Sequence, residues 1–274
     1  MVREDGRGMN DIYGSDAYAP KDIAARVLDV GVAKARLPWL TQAALGVLAG
    51  AFIGFGALMF TLVASDASLG FAATRLLGGL AFSLGLVLVT VAGAELFTGN
   101  HLIAMAWASR QVGTAQLLRN WAVVCAANLV GAVGLALLVF WSGHGAMNDG
   151  AVARTAVRIA TGKAQLPIAE LFFRGVLCNV LVCMAVWMAM AGRSVSDKAV
   201  AIVFPITAFV AAGFEHSIAN MYFFPLAMLL GAPLSVADMA RNLLPVIAGN
   251  LVGGSVLVAL VYWLIYLRPG AARP

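Results

Sequence analysis

The sequence predicts an all-α integral membrane protein with six transmembrane helices, and three observations carry that reading. Of its 274 residues, 62% are hydrophobic and only 11% charged, too few charges to cover a soluble globule. Apolar runs able to cross a hydrocarbon layer of roughly 30 Å, which takes about 20 helical residues, recur six times. They lack the period-two alternation of barrel strands. Finally, one pattern, Gly-x-Glu-x4-Asn, is set into a hydrophobic stretch of each half: Gly93 to Asn100 and Gly213 to Asn220. Lipid tolerates broken backbone only where it is buried or lines a pathway, so paired polar interruptions predict two interrupted helices meeting at one site.

The elements follow in chain order. Residues 1–37 form a charged arm with no signal-peptide hydrophobic region, so insertion is expected to begin with the first span and no cleavage is expected. Within the arm, Lys21 to Arg36 sets Ile23, Val27 and Val30 opposite Asp22, Arg26 and Asp29. This spacing predicts an amphipathic helix lying on the cytoplasmic face, as an anchor before a gate. The spans fall near residues 39–64, 71–92, 116–141, 169–191, 199–230 and 243–267, the fifth long and interrupted. Residues 269–274 form a short cytoplasmic tail. The lysines and arginines of the connecting segments favour both termini inside. With no aromatic and basic interleaving, the net charge of +5 gives no nucleic-acid signal. Cys125, Cys178 and Cys183 lie within spans as small apolar packing residues. The many glycines of the spans allow close helix approach.

The chain is internally duplicated. At one constant offset Arg119-Asn120 matches Arg241-Asn242, Asn128-Leu129-Val130-Gly131 matches Asn250-Leu251-Val252-Gly253, and Trp141 matches Trp263. The channel domain, 38–268, therefore divides into repeats of three spans, about 38–142 and 166–268, joined by a loop. A unit with an odd number of crossings re-enters the membrane from the opposite face. The repeats are expected to be inverted, with helices 2 and 5 interrupted and the site near the midplane.

Thr98 and Ser217 stand where half-helices restart and are read as N-caps. Two such N-termini turn positive dipole ends to the centre, favouring an anionic or hydrogen-bond-accepting solute. Glu95 and Glu215 are expected to accept hydrogen bonds from the irregular loop backbone, and Asn100 and Asn220 close the same pattern as loop anchors. His216 is the one histidine inside an expected span, beside a buried carboxylate, and is the main functional candidate. Asn179, deep in the fourth span, either bonds across helices or donates to a solute. Glu170 and Arg174 read as an ion pair at the membrane boundary, and Lys163 as a topology charge. Metal-ligand spacing, a nucleophile elbow and a phosphate loop are all missing, so neither catalysis nor a cofactor is expected.

The two Glu motifs, with Leu171-Phe172-Phe173-Arg174-Gly175-Val176-Leu177-Cys178-Asn179 and Gly192-Arg193-Ser194, resemble the formate/nitrite transporter family from the N-terminal helix to Arg268. The resemblance implies an aquaporin-like arrangement, one pore per protomer and a homopentamer in the bacterial inner membrane. It further implies that His216 and Thr98 form the central polar pair, that Asn179 adds a hydrogen bond, and that Lys163 draws anions into the outer vestibule. Apolar constrictions would fall at Phe82, Leu86 and Val182 on the periplasmic side and at Leu96 and Phe209 on the cytoplasmic side.

The expected activity is passage of a small monovalent anion, formate or nitrite. A bare anion in a low-dielectric ring costs tens of kcal/mol in the Born limit. Protonating a carboxylate of pKa roughly 4 at pH 7 costs only about 4 kcal/mol, so proton coupling is expected. Nitrite or hydrosulfide selectivity, an electrogenic channel and an aquaporin-like neutral-solute channel are the alternatives. The last lacks an Asn-Pro-Ala motif at either break.

Overall fold

The structure, a computed structural model, describes residues 17–268, and these fold almost entirely into helices. In chain order they are α1 (Pro20–Arg36), α2 (Trp39–Ala64), α3 (Phe71–Gly93), α4 (Ala104–Ala108), α5 (Thr114–Trp141), α6 (Ala151–Ala164), α7 (Ile168–Ala189), α8 (Val195–Ala212), α9 (Ser217–Leu229) and α10 (Val236–Tyr266). Six of them, α2, α3, α5, α7, α8 and α10, are long and apolar enough to cross a membrane. The chain is a multi-pass membrane protein. The first 16 residues of the expected arm and the expected tail, 269–274, lie outside the described residues.

Helix α1 behaves as its spacing predicts. Pro20 sits in its first turn, where a missing N–H costs nothing. Its Ile23, Ala24 and Val27 are buried against Leu102, Ala104 and Met105. Two spans start earlier than hydrophobicity alone predicts, because serine caps set their ends. Ser194 Oγ accepts the Asp197 N–H at 3.1 Å while the Asp197 carboxylate accepts the Ser194 N–H at 2.8 Å. Ser235 and Asp238 repeat this at 3.2 and 2.8 Å. Such reciprocal caps let a helix begin in polar sequence. The expected loop between the repeats contains α6, whose Val152, Ala156 and Ala160 are buried at helical spacing.

Packing rests on two glycine-lined crossings. α2 lies on α5, where a Cβ on Gly50 would strike the Asn128 carbonyl oxygen and one on Gly131 the Val47 carbonyl oxygen. α7 lies on α10, where Gly249 and Gly253 meet the Phe172 and Val176 carbonyl oxygens in the same way. The neighbour at each is backbone, which cannot rotate aside, so these glycines fix how closely the helices approach.

Gly131→Ala and Gly253→Ala are therefore expected to destabilise the protein by about 1–3 kcal/mol each. Gly134→Ala, with nothing within 4 Å of its added carbon, should match or slightly exceed the parent. Thermal unfolding in detergent checks the contrast.

Candidate functional site

Helix α3 ends at Gly93, with φ of +83°, and helix α8 is followed by Gly213, with φ of +76°. Both are left-handed conformations that glycine adopts without penalty. Helix resumes only at Gly99, in a 3-10 turn to Ile103, and at Ser217. The amides between need partners, since lipid supplies none. Backbone carbonyls of neighbouring spans take the Glu95 and Glu215 N–H groups, Leu45 and Arg174 at 3.2 Å each, and Asn128 and Asn250 supply the next partners. Asn128 Oδ1 accepts the Phe97 N–H at 2.9 Å, and its Nδ2 donates to the Gly46 and Glu95 carbonyls at 2.7 and 2.9 Å. Asn250 Oδ1 accepts the Ser217 N–H at 3.0 Å, and its Nδ2 donates to the Gly175 and Glu215 carbonyls at 2.8 and 3.0 Å. Each side chain thus ties one loop to a neighbouring span.

The glutamates do something other than expected. Among the described residues their carboxylates accept no backbone N–H. Glu95 is paired with Lys34 of α1 at 2.7 Å and accepts from Asn100 Nδ2 at 2.6 Å. Glu215 is paired with Lys163 of α6 at 2.8 Å and accepts from Asn220 Nδ2 at 2.7 Å. The reason is reach: five residues on from each glutamate the chain has turned back into helix, and the asparagine amide closes the loop before backbone can. Asn120 and Asn242 extend both networks, accepting from Asn100 and Asn220 at 3.0 and 2.7 Å. Both asparagines also bind the carbonyls of the two lysines, at 3.4 and 3.1 Å. Lys34, expected only as one charge of the arm, is thus a partner of the site. Lys163 is no free charge, since Glu215 neutralises it. Glu170 and Arg174 form the expected exposed pair at 2.7 Å.

Thr98 and His216 meet, with Oγ1 and Nε2 3.1 Å apart and both side chains buried. The capping expectation needs correction here. Ser217 is the first residue of α9 and its buried Oγ has no partner among the described residues. His216 caps α9 instead, its Nδ1 accepting the Ala219 N–H at 3.2 Å. Nδ1 is therefore bare and the ring proton sits on Nε2, so Nε2–H donates to Thr98 Oγ1. The Thr98 oxygen accepts this bond, and its hydroxyl donates to no group among the described residues, which leaves its own proton free.

Two cavities, each of about 310 Å³, flank this region: His216 lines one, and Gly99, next to Thr98, lines the other. One is lined by Lys34, Glu95, Leu86 and Leu96, the other by Lys163, Glu215, Phe82, Phe209 and His216, and they share no residue. Phe82 and Leu86 are four residues apart on α3, so the two linings are offset by about one helical turn, roughly 6 Å, along that helix. The apolar residues group as Phe82 with Phe209, ring centroids 5.6 Å apart, and Leu86 with Leu96. The sequence reading had exchanged Leu86 and Phe209 between the sides. Val182 is buried but lines neither cavity. The Lys163 cavity also carries Arg75, Arg158 and Arg174 against the single carboxylate of Glu215. Arg174 belongs to the Leu171–Asn179 motif, whereas Arg75 and Arg158 lie far from it in sequence and no motif marks them.

Asn179 lies fully buried on α7. Its Nδ2 donates across helices to the Asn250 carbonyl and to His101 Nδ1, both at 2.6 Å. His101, which lies outside the expected spans, is fully buried, packed edge-on against Phe97 and Trp121.

Residues 21–264 match the family model described as formate/nitrite transporter. The chain is 37% identical over 273 residues to the formate channel FocA of Escherichia coli (strain K12), covering 92% of this chain and 96% of the relative. It is 39% identical to a probable formate transporter of Methanothermobacter thermautotrophicus, covering 93% and 99%. Among solved structures, an FNT family ion channel superposes with a TM-score of 0.82 at 32% identity, over 90% of this chain and 99% of that one. A pentameric formate channel with formate bound superposes with a TM-score of 0.77 at 37% identity, over 84% and 98%.

Removing one partner of a buried ion pair leaves the other charged and unpaired. Because Lys163 is half-buried and Glu215 buried, Lys163→Met is expected to destabilise the protein by about 1–3 kcal/mol, and Lys163→Met with Glu215→Leu to recover much of the loss. Thermal unfolding of the single and double variants measures both.

Proposed function

Because the chain belongs to the formate/nitrite transporter family, we propose that it is a membrane channel for small monovalent anions, formate foremost and nitrite with it, which cross together with a proton. The family is one of transporters, not enzymes. The observation that carries the reading is the Thr98–His216 hydrogen bond, a donor pair set in an apolar wall between two water-accessible cavities.

The physics runs from the outside in. The Lys163 cavity has four cationic side chains and one carboxylate on its lining, so it gathers anions by an attraction that salt screens. At the wall the anion sheds water between Phe82 and Phe209, where charge is most costly. For a carboxylate of pKa roughly 4, taking a proton at pH 7 costs about 4 kcal/mol, far below the cost of the bare ion in an apolar ring. The solute then passes as the neutral acid. His216 is held neutral at this step, because a second proton on Nδ1 would break the Ala219 cap. It serves by orienting Thr98: Nε2–H donates to Oγ1, and the threonine hydroxyl turns its own proton to the solute oxygen. Leu86 and Leu96 form the second ring, and the Lys34–Glu95 cavity releases the solute.

The same reading covers the architecture. Residues 38–142 and 166–268 form inverted three-helix repeats whose second spans are interrupted at 94–98 and 213–216, in an aquaporin-like arrangement. What supports this is the matched bonding of Asn128 with Asn250, Asn100 with Asn220, and Glu95 with Glu215. The protomers assemble as a homopentamer in the bacterial inner membrane with both termini cytoplasmic; one solved relative is a pentameric formate channel. The arm 1–37 and the tail 269–274 lie on that cytoplasmic side.

Formate uptake into proteoliposomes should rise about tenfold for each unit the outer pH falls above the solute's pKa of roughly 4, without generating a voltage. His216→Phe should cut it by about tenfold or more. Undiminished, still proton-linked uptake in that variant would remove His216 from the pathway. Voltage-generating uptake by the parent would overturn the coupling, and glycerol or water flux without anion uptake would overturn the anion reading.

A further inference from the structure

Beside the central pair lies a second buried polar pair that the passage just described does not use. Asn179 Nδ2 lies 2.6 Å from the Asn250 carbonyl oxygen and 2.6 Å from His101 Nδ1. The carbonyl can only accept, so the atom facing it must be the amide nitrogen, which fixes the orientation of the Asn179 amide. Both its N–H groups are then used. His101 Nδ1 must accept, which puts the proton of that ring on Nε2. Two polar atoms remain, both buried and without a partner among the described residues: Asn179 Oδ1, an acceptor, and His101 Nε2–H, a donor.

The fold does not require this pair. The offset that carries Gly46 onto Gly175 carries Gly50 onto Asn179, and the offset that carries Glu95 onto Glu215 carries His101 onto Met221. The first half therefore fills the matching position with a glycine and the second answers His101 with a buried methionine. Room for the polar pair is made by Gly254, where an added carbon would strike Asn179 Nδ2, and also Cys183 Sγ and the His101 Cβ at 2.8 Å. The pair adjoins the centre. Cys183 Sγ donates to the Thr98 carbonyl at 3.3 Å, and His101 follows Thr98 by one turn of the 3-10 helix.

We infer that His101 is a positioning residue that holds Asn179 with its oxygen, not its nitrogen, free, so that Asn179 offers the solute an acceptor. The inference rests on the proposed passage of the solute as a neutral acid and deepens it. A carboxylate anion has no proton to give such an oxygen and is repelled by it. The protonated acid has an O–H donor that matches Asn179 Oδ1 and a carbonyl that matches the Thr98 hydroxyl. The chemical class selected is a small acid carrying its proton, over the same molecule as an anion. The titratable groups facing His101 are Cys183 on α7 and His216 at the start of α9. Lys34 and Glu95 are engaged with each other and with Asn100.

The test compares the parent, His101→Met and His101→Asn in proteoliposomes that report internal pH and membrane voltage during formate uptake. Methionine is the residue at the matching position and accepts no comparable bond. Asparagine restores an oxygen near the place of Nδ1. His101→Met is expected to lower the preference for proton-linked over voltage-generating uptake about tenfold, the equivalent of one hydrogen bond, and His101→Asn to restore it. A His101→Met protein that assembles as the parent does and keeps the parent's proton linkage and pH profile would overturn the inference and leave the proposed function standing. Voltage-generating uptake by the parent would sink both. Should His101→Met not assemble, His101→Leu, which likewise offers no acceptor, takes its place: loss of linkage that His101→Asn restores supports the inference, and parent-like linkage in an assembled His101→Leu refutes it.

Discussion

Two asparagine side chains make this fold possible. A chain that leaves helix inside a membrane must satisfy its own amides and carbonyls. Asn128 and Asn250 do so at the two breaks by accepting one N–H and donating to two carbonyls each. One of each set of carbonyls belongs to a neighbouring span, Gly46 on α2 or Gly175 on α7. Satisfying the loop and docking it are therefore one act. The glycine crossings are a precondition, because the amides reach those carbonyls only where α2 meets α5 and α7 meets α10 backbone to backbone.

Everything polar at the centre follows from those breaks. Opening the helix after Gly93 brings Thr98 inward, and opening it at Gly213 brings His216 to the N-terminus of α9, where capping the helix fixes its tautomer. The glutamates close each loop from outside, held by lysines that come from elements beyond the spans, α1 and α6. The two buried ion pairs are thus also the contacts by which the two amphipathic helices are fastened to the channel.

Much of this was legible in the sequence, and the reasons are physical. The spans were legible because hydrocarbon demands length and apolarity together. The two polar segments stood out because Gly, Glu and Asn at fixed spacing are costly in lipid unless they bond one another. The asparagine matches at 128 and 250 marked the duplication. Partners were harder to read. The lysines that meet Glu95 and Glu215 lie 61 and 52 residues from them in sequence, and nothing local ties Lys34 or Lys163 to a carboxylate. The burial of His101 was not legible because it depends on Gly254, far along the chain. The cap on α9 went to His216 and not Ser217 because the imidazole nitrogen reaches the third amide, which a serine one residue later does not. The start points of α8 and α10 moved for the same local reason, since a capping serine outweighs hydrophobicity at a helix end.

The central claim is that single side chains hold the two breaks in a fixed, dry conformation. Amide hydrogen exchange in lipid nanodiscs tests it directly at Phe97 and Ser217. Both amides should exchange as slowly as those of the spans. Asn128→Ala should release Phe97 alone and Asn250→Ala should release Ser217 alone, each speeding exchange by about tenfold or more. Rapid exchange at either amide in the parent, or protection that survives loss of its asparagine, would contradict the account.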